Sequence, residues 1–219
     1  MNWLVNAVVL LSKGGFVMVP LVICSVVSVA VLIERYVKVR RARADVSETI
    51  STAEDALYSG NTRRALDVLE KTDSPVTRVV AAGVRNSHLG ERCTERAMEE
   101  QGTREVAALT HRLGWLDTIV TIAPLLGLLG TVTGMIGAFN IIATTEGIST
   151  PTAITGGVAE ALIATATGLA VAIFTLVGYN ALQERVKGVV NEIETRGTAM
   201  VNVLAETGED HGEATRLSA

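Results

Sequence analysis

Three apolar stretches interrupt an otherwise charge-rich chain. Residues 14–33 run for 20 positions without a charge, residues 118–145 run for 28, and residues 147–183 hold one charged side chain, Glu160, in 37. A bilayer core of about 30 Å needs about 20 apolar residues in helical form, because a span must satisfy every backbone N–H and C=O within itself. The pattern therefore predicts three transmembrane helices, at 16–33, 119–142 and 153–182, the last long enough to tilt or protrude. The expected fold is an all-α integral membrane protein.

The polar positions set the expected orientation. Lys13 alone precedes the first span, whereas Arg35, Lys38, Arg40, Arg41 and Arg43 follow it directly. The link between the second and third spans contains Glu146 and no Lys or Arg. By the positive-inside rule the N-terminus lies outside and the C-terminus inside. The predicted organisation is a periplasmic N-terminus with the first helix over 1–34, a cytoplasmic helical region over 35–117 and a second transmembrane helix over 118–145. A short periplasmic loop over 146–152, a third transmembrane helix over 153–183 and a cytoplasmic helix with an acidic tail over 184–219 complete it. A secretory signal peptide ending near Ser28-Val29-Ala30 is the competing reading of the N-terminus. It is disfavoured because the apolar run continues past Ala30 into a basic cluster that resists translocation.

Within the polar half, helical spacing between Ala42 and Gly60 predicts one helix, and a shorter one follows over Thr62–Lys71. Ser74-Pro75 reads as an N-cap and first helical residue, opening a helix to about His88 that stops near Gly90. From Glu91 no strong stop precedes the second span, so a single helix over 91–117 would extend about 40 Å. The acidic stretch Glu206–Glu213 reads as a disordered, solvated tail. The basic run Arg35–Arg43 has anionic lipid headgroups as a candidate contact, although a topology signal accounts for it more simply.

Composition changes this picture little. There are 19 Lys+Arg against 23 Asp+Glu, a net charge of -4 that calls for no nucleic-acid partner. Cys24 and Cys93 fall on opposite sides of the expected topology, where they cannot pair, and neither has zinc-ligand spacing. His88, His111 and His211 lie outside the spans without paired metal spacing, and no nucleophile elbow is present. GLLGTVTG at Gly127–Gly134 lacks the Lys-Ser/Thr ending of a phosphate loop. No enzymatic activity, cofactor or metal is expected.

Candidate chemistry concentrates on Glu160, the one ionisable side chain inside a span. A carboxylate at mid-membrane costs about 2.5 to 3.5 kcal/mol when charged and unpaired, so such acids usually face protein or water and mark ion or substrate paths. A neutral Glu hydrogen-bonded between helices is the structural alternative. Gly127, Gly130, Gly134 and Gly137 recur at helical spacing on the second span, and Gly157, Ala161, Ala164, Gly168 and Ala172 form a similar stripe on the third. Such stripes let helices approach closely. Glu160 and Thr165 flank the second stripe. Thr131 and Thr133 on the second span, with Thr165 and Thr167 on the third, add hydroxyls able to bond a carbonyl one turn back or to offer steps to a proton. Three spans enclose little, so a polar path would require a ring of copies.

These residues carry a resemblance. LGWLDTIVTIAPLLGLLGTVTGMIGAF at Leu113–Phe139, with GGVAEALIATATGLAVAI at Gly156–Ile173 and Tyr179-Asn180, resembles the MotA/TolQ/ExbB proton-channel family, and most closely its ExbB and TolQ branch. The match is dense over about 70 residues of the second and third spans; elsewhere only the layout agrees. A stator protein resembling MotA would usually carry a fourth span. The resemblance implies a pentameric ring in the inner membrane of a Gram-negative-type envelope, enclosing helices of a single-span partner similar to ExbD or TolR. Proton flow would then drive work on a protein similar to TonB or TolA. By position, the family's pore threonine on the second span falls on Thr131, its third-span glutamate on Glu160 and its third-span threonine on Thr165. The proton-carrying aspartate of the family belongs to the partner. Many members have Pro where this chain has Phe174, which bears on the bend of the third span.

Two other functions compete with a proton-channel subunit. A non-conducting scaffold would use Glu160 and the threonines for packing only. A secondary transporter is disfavoured by the lack of an internal repeat and of a broken helix pair at the midplane. The sequence leaves open H⁺ against Na⁺, and uptake against envelope maintenance or motility.

Overall fold

The computed structural model describes the backbone of residues 14–42, 45–144 and 151–217, and the side chains of 14–42, 45–141 and 155–207. Lys13, Arg43, Glu146 and the predicted 146–150 part of the loop lie outside the described residues. Seven α-helices are found among the described residues: α1 Met18–Ala42, α2 Ser47–Tyr58, α3 Thr62–Lys71, α4 Pro75–Asn86, α5 Glu91–Thr110, α6 Leu113–Thr144 and α7 Pro151–Leu217, with a 3₁₀ turn at Ser87–Leu89. Among the described residues three helices are long and apolar enough to cross a membrane, and their apolar segments lie in α1, α6 and α7. The chain divides into two compact units, residues 1–34 with 112–181 and residues 35–111 with 182–219.

The first unit is built inside out by the standards of a water-soluble domain. Its buried cluster is small, formed by Val17, Met18, Leu21, Ile119, Ala123, Ala164 and Ala172. Large side chains such as Ile23, Leu125, Phe139, Leu162 and Phe174 are exposed. A surface this apolar is stable against lipid and not against water. Phe174 lies within the continuous helix α7. Pro124 lies inside α6, a position tolerated in membrane helices, where neighbouring groups re-satisfy the freed carbonyl. Close to the polar ends of the spans, Arg112 donates to Glu34 over 2.7 Å.

The second unit is a helical bundle in which consecutive helices pack: α2 on α3, α3 on α4, and α4 on α5. Local chemistry sets its boundaries. The Asn61 side chain accepts from the Arg64 N–H over 3.0 Å and so caps α3. Ser74 precedes Pro75 at the start of α4, and its N–H donates to Thr77 Oγ1 over 3.3 Å. Val76, Val80 and Val84 from α4 are at most 1% exposed and fill the core with Ile50 and Leu69. Arg78 of α4 grips Glu105 of α5 through two bonds, Nε to Oε1 at 2.8 Å and Nη2 to Oε2 at 2.7 Å, while Gln101 donates to the same carboxylate at 2.7 Å. These bonds from the Arg78 guanidinium hold the Glu105 carboxyl below its ordinary pKa despite its burial.

Four expectations from the sequence are revised. The helix predicted between Ala42 and Gly60 begins only at Ser47, because the Asp45 carboxylate accepts from the Ser47 N–H over 3.0 Å and opens α2 there. The 3₁₀ turn Ser87–Leu89 replaces the last turn predicted for α4. The predicted continuous helix over 91–117 is broken: α5 ends at Thr110, His111 is extended with ψ 133°, and Arg112 has φ 65°. Left-handed backbone at a non-glycine costs about 1–3 kcal/mol, and here it is accompanied by the Arg112–Glu34 ion pair and by a new turn from Trp115 N–H to the Arg112 carbonyl, 3.2 Å. Finally, the third span and the acidic tail are one helix, since α7 runs for 67 residues to Leu217 where a disordered tail was predicted.

Candidate functional site

Glu160 lies on α7 within its apolar segment and is half-buried. Its carboxylate rests against the turn that opens α1. Gly15 there has φ +71°, left-handed backbone that favours glycine, and a Cβ on it would overlap the Glu160 carboxylate at Oε1, which would have to move aside. The Gly15 carbonyl accepts from the Met18 N–H over 3.1 Å, which fixes the turn. Gly14 lies beside Ile163, one turn along α7 from Glu160, with 3.4 Å between its would-be Cβ and Ile163 Cγ2. Among the described residues no hydrogen bond to Glu160 is formed. Sequence reasoning missed Gly14-Gly15. The pair precedes an apolar run and reads as an ordinary helix boundary, and its only local signal is the doubled glycine.

The small-residue stripes of α6 and α7 face each other. A Cβ on Gly127 would stand 3.0 Å from Thr165 Cα, one on Gly134 would stand 2.9 Å from both Ala161 Cβ and the Gly157 carbonyl, and one on Gly168 would stand 2.5 Å from the Ala123 carbonyl. Gly130 packs against Ala164. Backbone meets backbone along this seam, a distance only Gly and Ala permit. Among the described residues Gly137 is not part of it, because a Cβ there would meet none of them within 4 Å. The seam continues instead through Ala138, which is 3% exposed and lies against Gly157. A spacing of 10 from Gly127 places Gly137 about 80° behind it on the helix, whereas 11 places Ala138 almost in line, 20° away.

The hydroxyls divide by partner. Thr165 Oγ1 donates across the seam to the Gly127 carbonyl over 2.8 Å. Thr131 donates to the Leu128 carbonyl of its own helix over 2.6 Å, Thr133 to Leu129 over 3.0 Å, and Thr167 to Ile163 over 2.8 Å. No hydrogen bond joins Thr131, Glu160 and Thr165 to one another among the described residues. A further polar pair, not foreseen in the sequence, joins α1 to α7: Ser28 Oγ and Thr175 Oγ1 are 2.6 Å apart and almost wholly buried, with Thr175 also donating to the Val171 carbonyl over 2.7 Å. Among the described residues there is no cluster of three or more His, Cys, Asp or Glu suited to a metal ion. The arrangement offers one acid with no hydrogen bond among the described residues, next to a glycine seam, in a lipid-facing unit.

Comparison with known proteins points the same way. The family model described as the MotA/TolQ/ExbB proton channel family matches residues 71–195. A putative biopolymer transport protein ExbB-like 1 of Synechocystis is 34% identical over 173 residues, covering 78% of this chain and 68% of that protein. The Tol-Pal system protein TolQ of Haemophilus influenzae is 40% identical over 96 residues, 44% of this chain and 42% of its own length. The biopolymer transport protein ExbB of Pseudomonas putida is 31% identical over 165 residues, 75% of this chain and 43% of its own length. The matched region contains α6, its glycine seam, Glu160 and all four threonines, and on these grounds the chain belongs to the MotA/TolQ/ExbB proton channel family, in its ExbB and TolQ branch.

Proposed function

We propose that the protein is the proton-channel subunit of an inner-membrane energy-transducing complex, a pentameric ring with the N-terminus periplasmic. It encloses a single-span partner similar to ExbD or TolR and drives a protein similar to TonB or TolA. Its role is conduction and coupling, not enzymatic catalysis. The observation that carries this reading is Glu160, the one acid of the spans, half-buried, with no hydrogen bond to a described residue. A carboxylate fixed for packing would be expected to have a partner, whereas one that serves a proton path needs free lone pairs facing water or a partner's acid. Thr131 and Thr165 would line the same path once their carbonyl bonds exchange for water. Each proton crossing 100 mV releases about 2.3 kcal/mol, so a few protons suffice for a conformational step of several kcal/mol.

A scaffold reading has one specific observation in its favour. The Thr165 hydroxyl is used in holding α7 to α6. The test is proton flux in vesicles containing the protein with its co-purified partner. Glu160→Gln keeps size and most hydrogen-bonding capacity; assembly with flux reduced tenfold or more is the expected result. Unchanged flux would sink the channel reading, and loss of assembly would favour the scaffold.

A further inference from the structure

In the second unit a groove of about 920 Å³ runs between α5 and α7. Met98, Val106 and Ile193 supply apolar floor, and Glu91, Glu95, Glu99 and Glu194 supply acidic rim. No ion pair within the described residues engages any of the four carboxylates. Glu91 is in the first turn of α5, where the helix dipole favours a negative charge. Glu95 and Glu99 have no such support, and like charges four residues apart on a helix repel. Arg92 and Arg96, the neighbouring residues on α5, are not part of the groove lining.

The same unit carries the opposite anomaly on α3. Arg63 and Arg64 occupy its first turn, which contains no acid, at the helix end whose dipole disfavours cations. Both are exposed, and neither forms an ion pair among the described residues. Two exposed arginines and a row of glutamates, none in an ion pair among the described residues, lie on different helices and are complementary in charge.

We propose that the α5–α7 groove receives the first turn of α3 from a second copy of this chain, Arg63 and Arg64 meeting Glu95, Glu99 and Glu194. The surfaces in contact differ, so the interface is head-to-tail, the type that closes into rings when the rotation permits. This rests on the ring of the proposed function and specifies which surfaces of the cytoplasmic region join its copies.

The test uses full-length protein in its own membranes, with Cys24→Ser and Cys93→Ser to remove the native thiols. One differently tagged copy carries Arg64→Cys and a co-expressed copy carries Glu99→Cys; mild oxidation then reads proximity. The expected result is a disulfide-linked pair containing both tags, at twice the 23.1 kDa of one chain, at least tenfold above the background given by either cysteine alone. Native mass spectrometry of the same untreated membranes reports the ring independently. A ring without the mixed disulfide overturns the groove assignment and leaves the ring standing, while the absence of any oligomer overturns both.

Discussion

Thr165 Oγ1 donates to the carbonyl oxygen of Gly127 across 2.8 Å, and Gly127 has no side chain to hold the two helices further apart. The bond and the close approach depend on each other. A Cβ on Gly127 would stand 3.0 Å from Thr165 Cα, so the two helices would have to separate by a few tenths of an ångström and the bond would lengthen.

Thr165→Val keeps the shape and removes the donor. Hydrogen bonds between membrane helices contribute about 0.6 kcal/mol on average and up to about 1.7. Thr165→Val should lower unfolding stability in detergent by about 1 kcal/mol, and Thr165→Ser should restore most of it, as read by denaturant titration. If both variants match the parent, the bond contributes nothing to the α6–α7 contact.

The glycines of α6 and α7 separate into those that meet backbone and those that do not. Gly168→Ala sets a methyl 2.5 Å from the Ala123 carbonyl and 3.1 Å from Gly127 Cα, neither of which can rotate away. It should cost about 1–3 kcal/mol through overpacking. Gly137→Ala meets no described residue within 4 Å and should be neutral or slightly stabilising, since alanine is the better helix former. Thermal unfolding of both variants checks the pair, and equal effects would contradict the seam.

Much of this was legible in the sequence because periodicity and charge are local properties. Glu160 stands out as one acid in 37 residues, and the seam follows from glycine and alanine spacing. What was not legible depends on contacts between distant segments. Gly15 matters because Glu160 lies over it, and Ser28 matters because Thr175 is opposite, 147 residues away. The break at Arg112 has no local signal because arginine is no helix breaker; the residue with left-handed backbone pairs with Glu34, 78 residues earlier. The choice between Gly137 and Ala138 was legible in principle, since only strict helical phasing separates them.

The Arg78–Glu105 pair gives the second unit a pH dependence. Glu105 is held below its ordinary pKa by the Arg78 bonds, so the folded form binds a proton less readily than the unfolded form. The pair's contribution is therefore complete above the unfolded carboxylate range, near 4.3, and is lost as pH falls through the lower folded value. Glu105→Gln should destabilise the unit by about 1–2 kcal/mol at neutral pH, discounted because the Arg78 side chain is 42% exposed. The difference between variant and parent should shrink on acidification below pH 4. A difference that stays constant from pH 7 to pH 3 would show that the ion pair is not its source.

Orientation is testable through the native cysteines. Cys93 is exposed on α5 in the second unit, and Cys24 is half-buried within the α1 span. With 14 of the 19 basic residues between positions 34 and 117, the positive-inside rule puts Cys93 in the cytoplasm. A membrane-impermeant maleimide should leave Cys93 unmodified in intact spheroplasts and label it after permeabilisation, with a Cys93→Ser control assigning the signal. Labelling of Cys93 in intact spheroplasts would invert the topology. The basic cluster behind α1 would then face the periplasm, and the α5–α7 groove with its glutamates would lie on the side opposite to the one proposed.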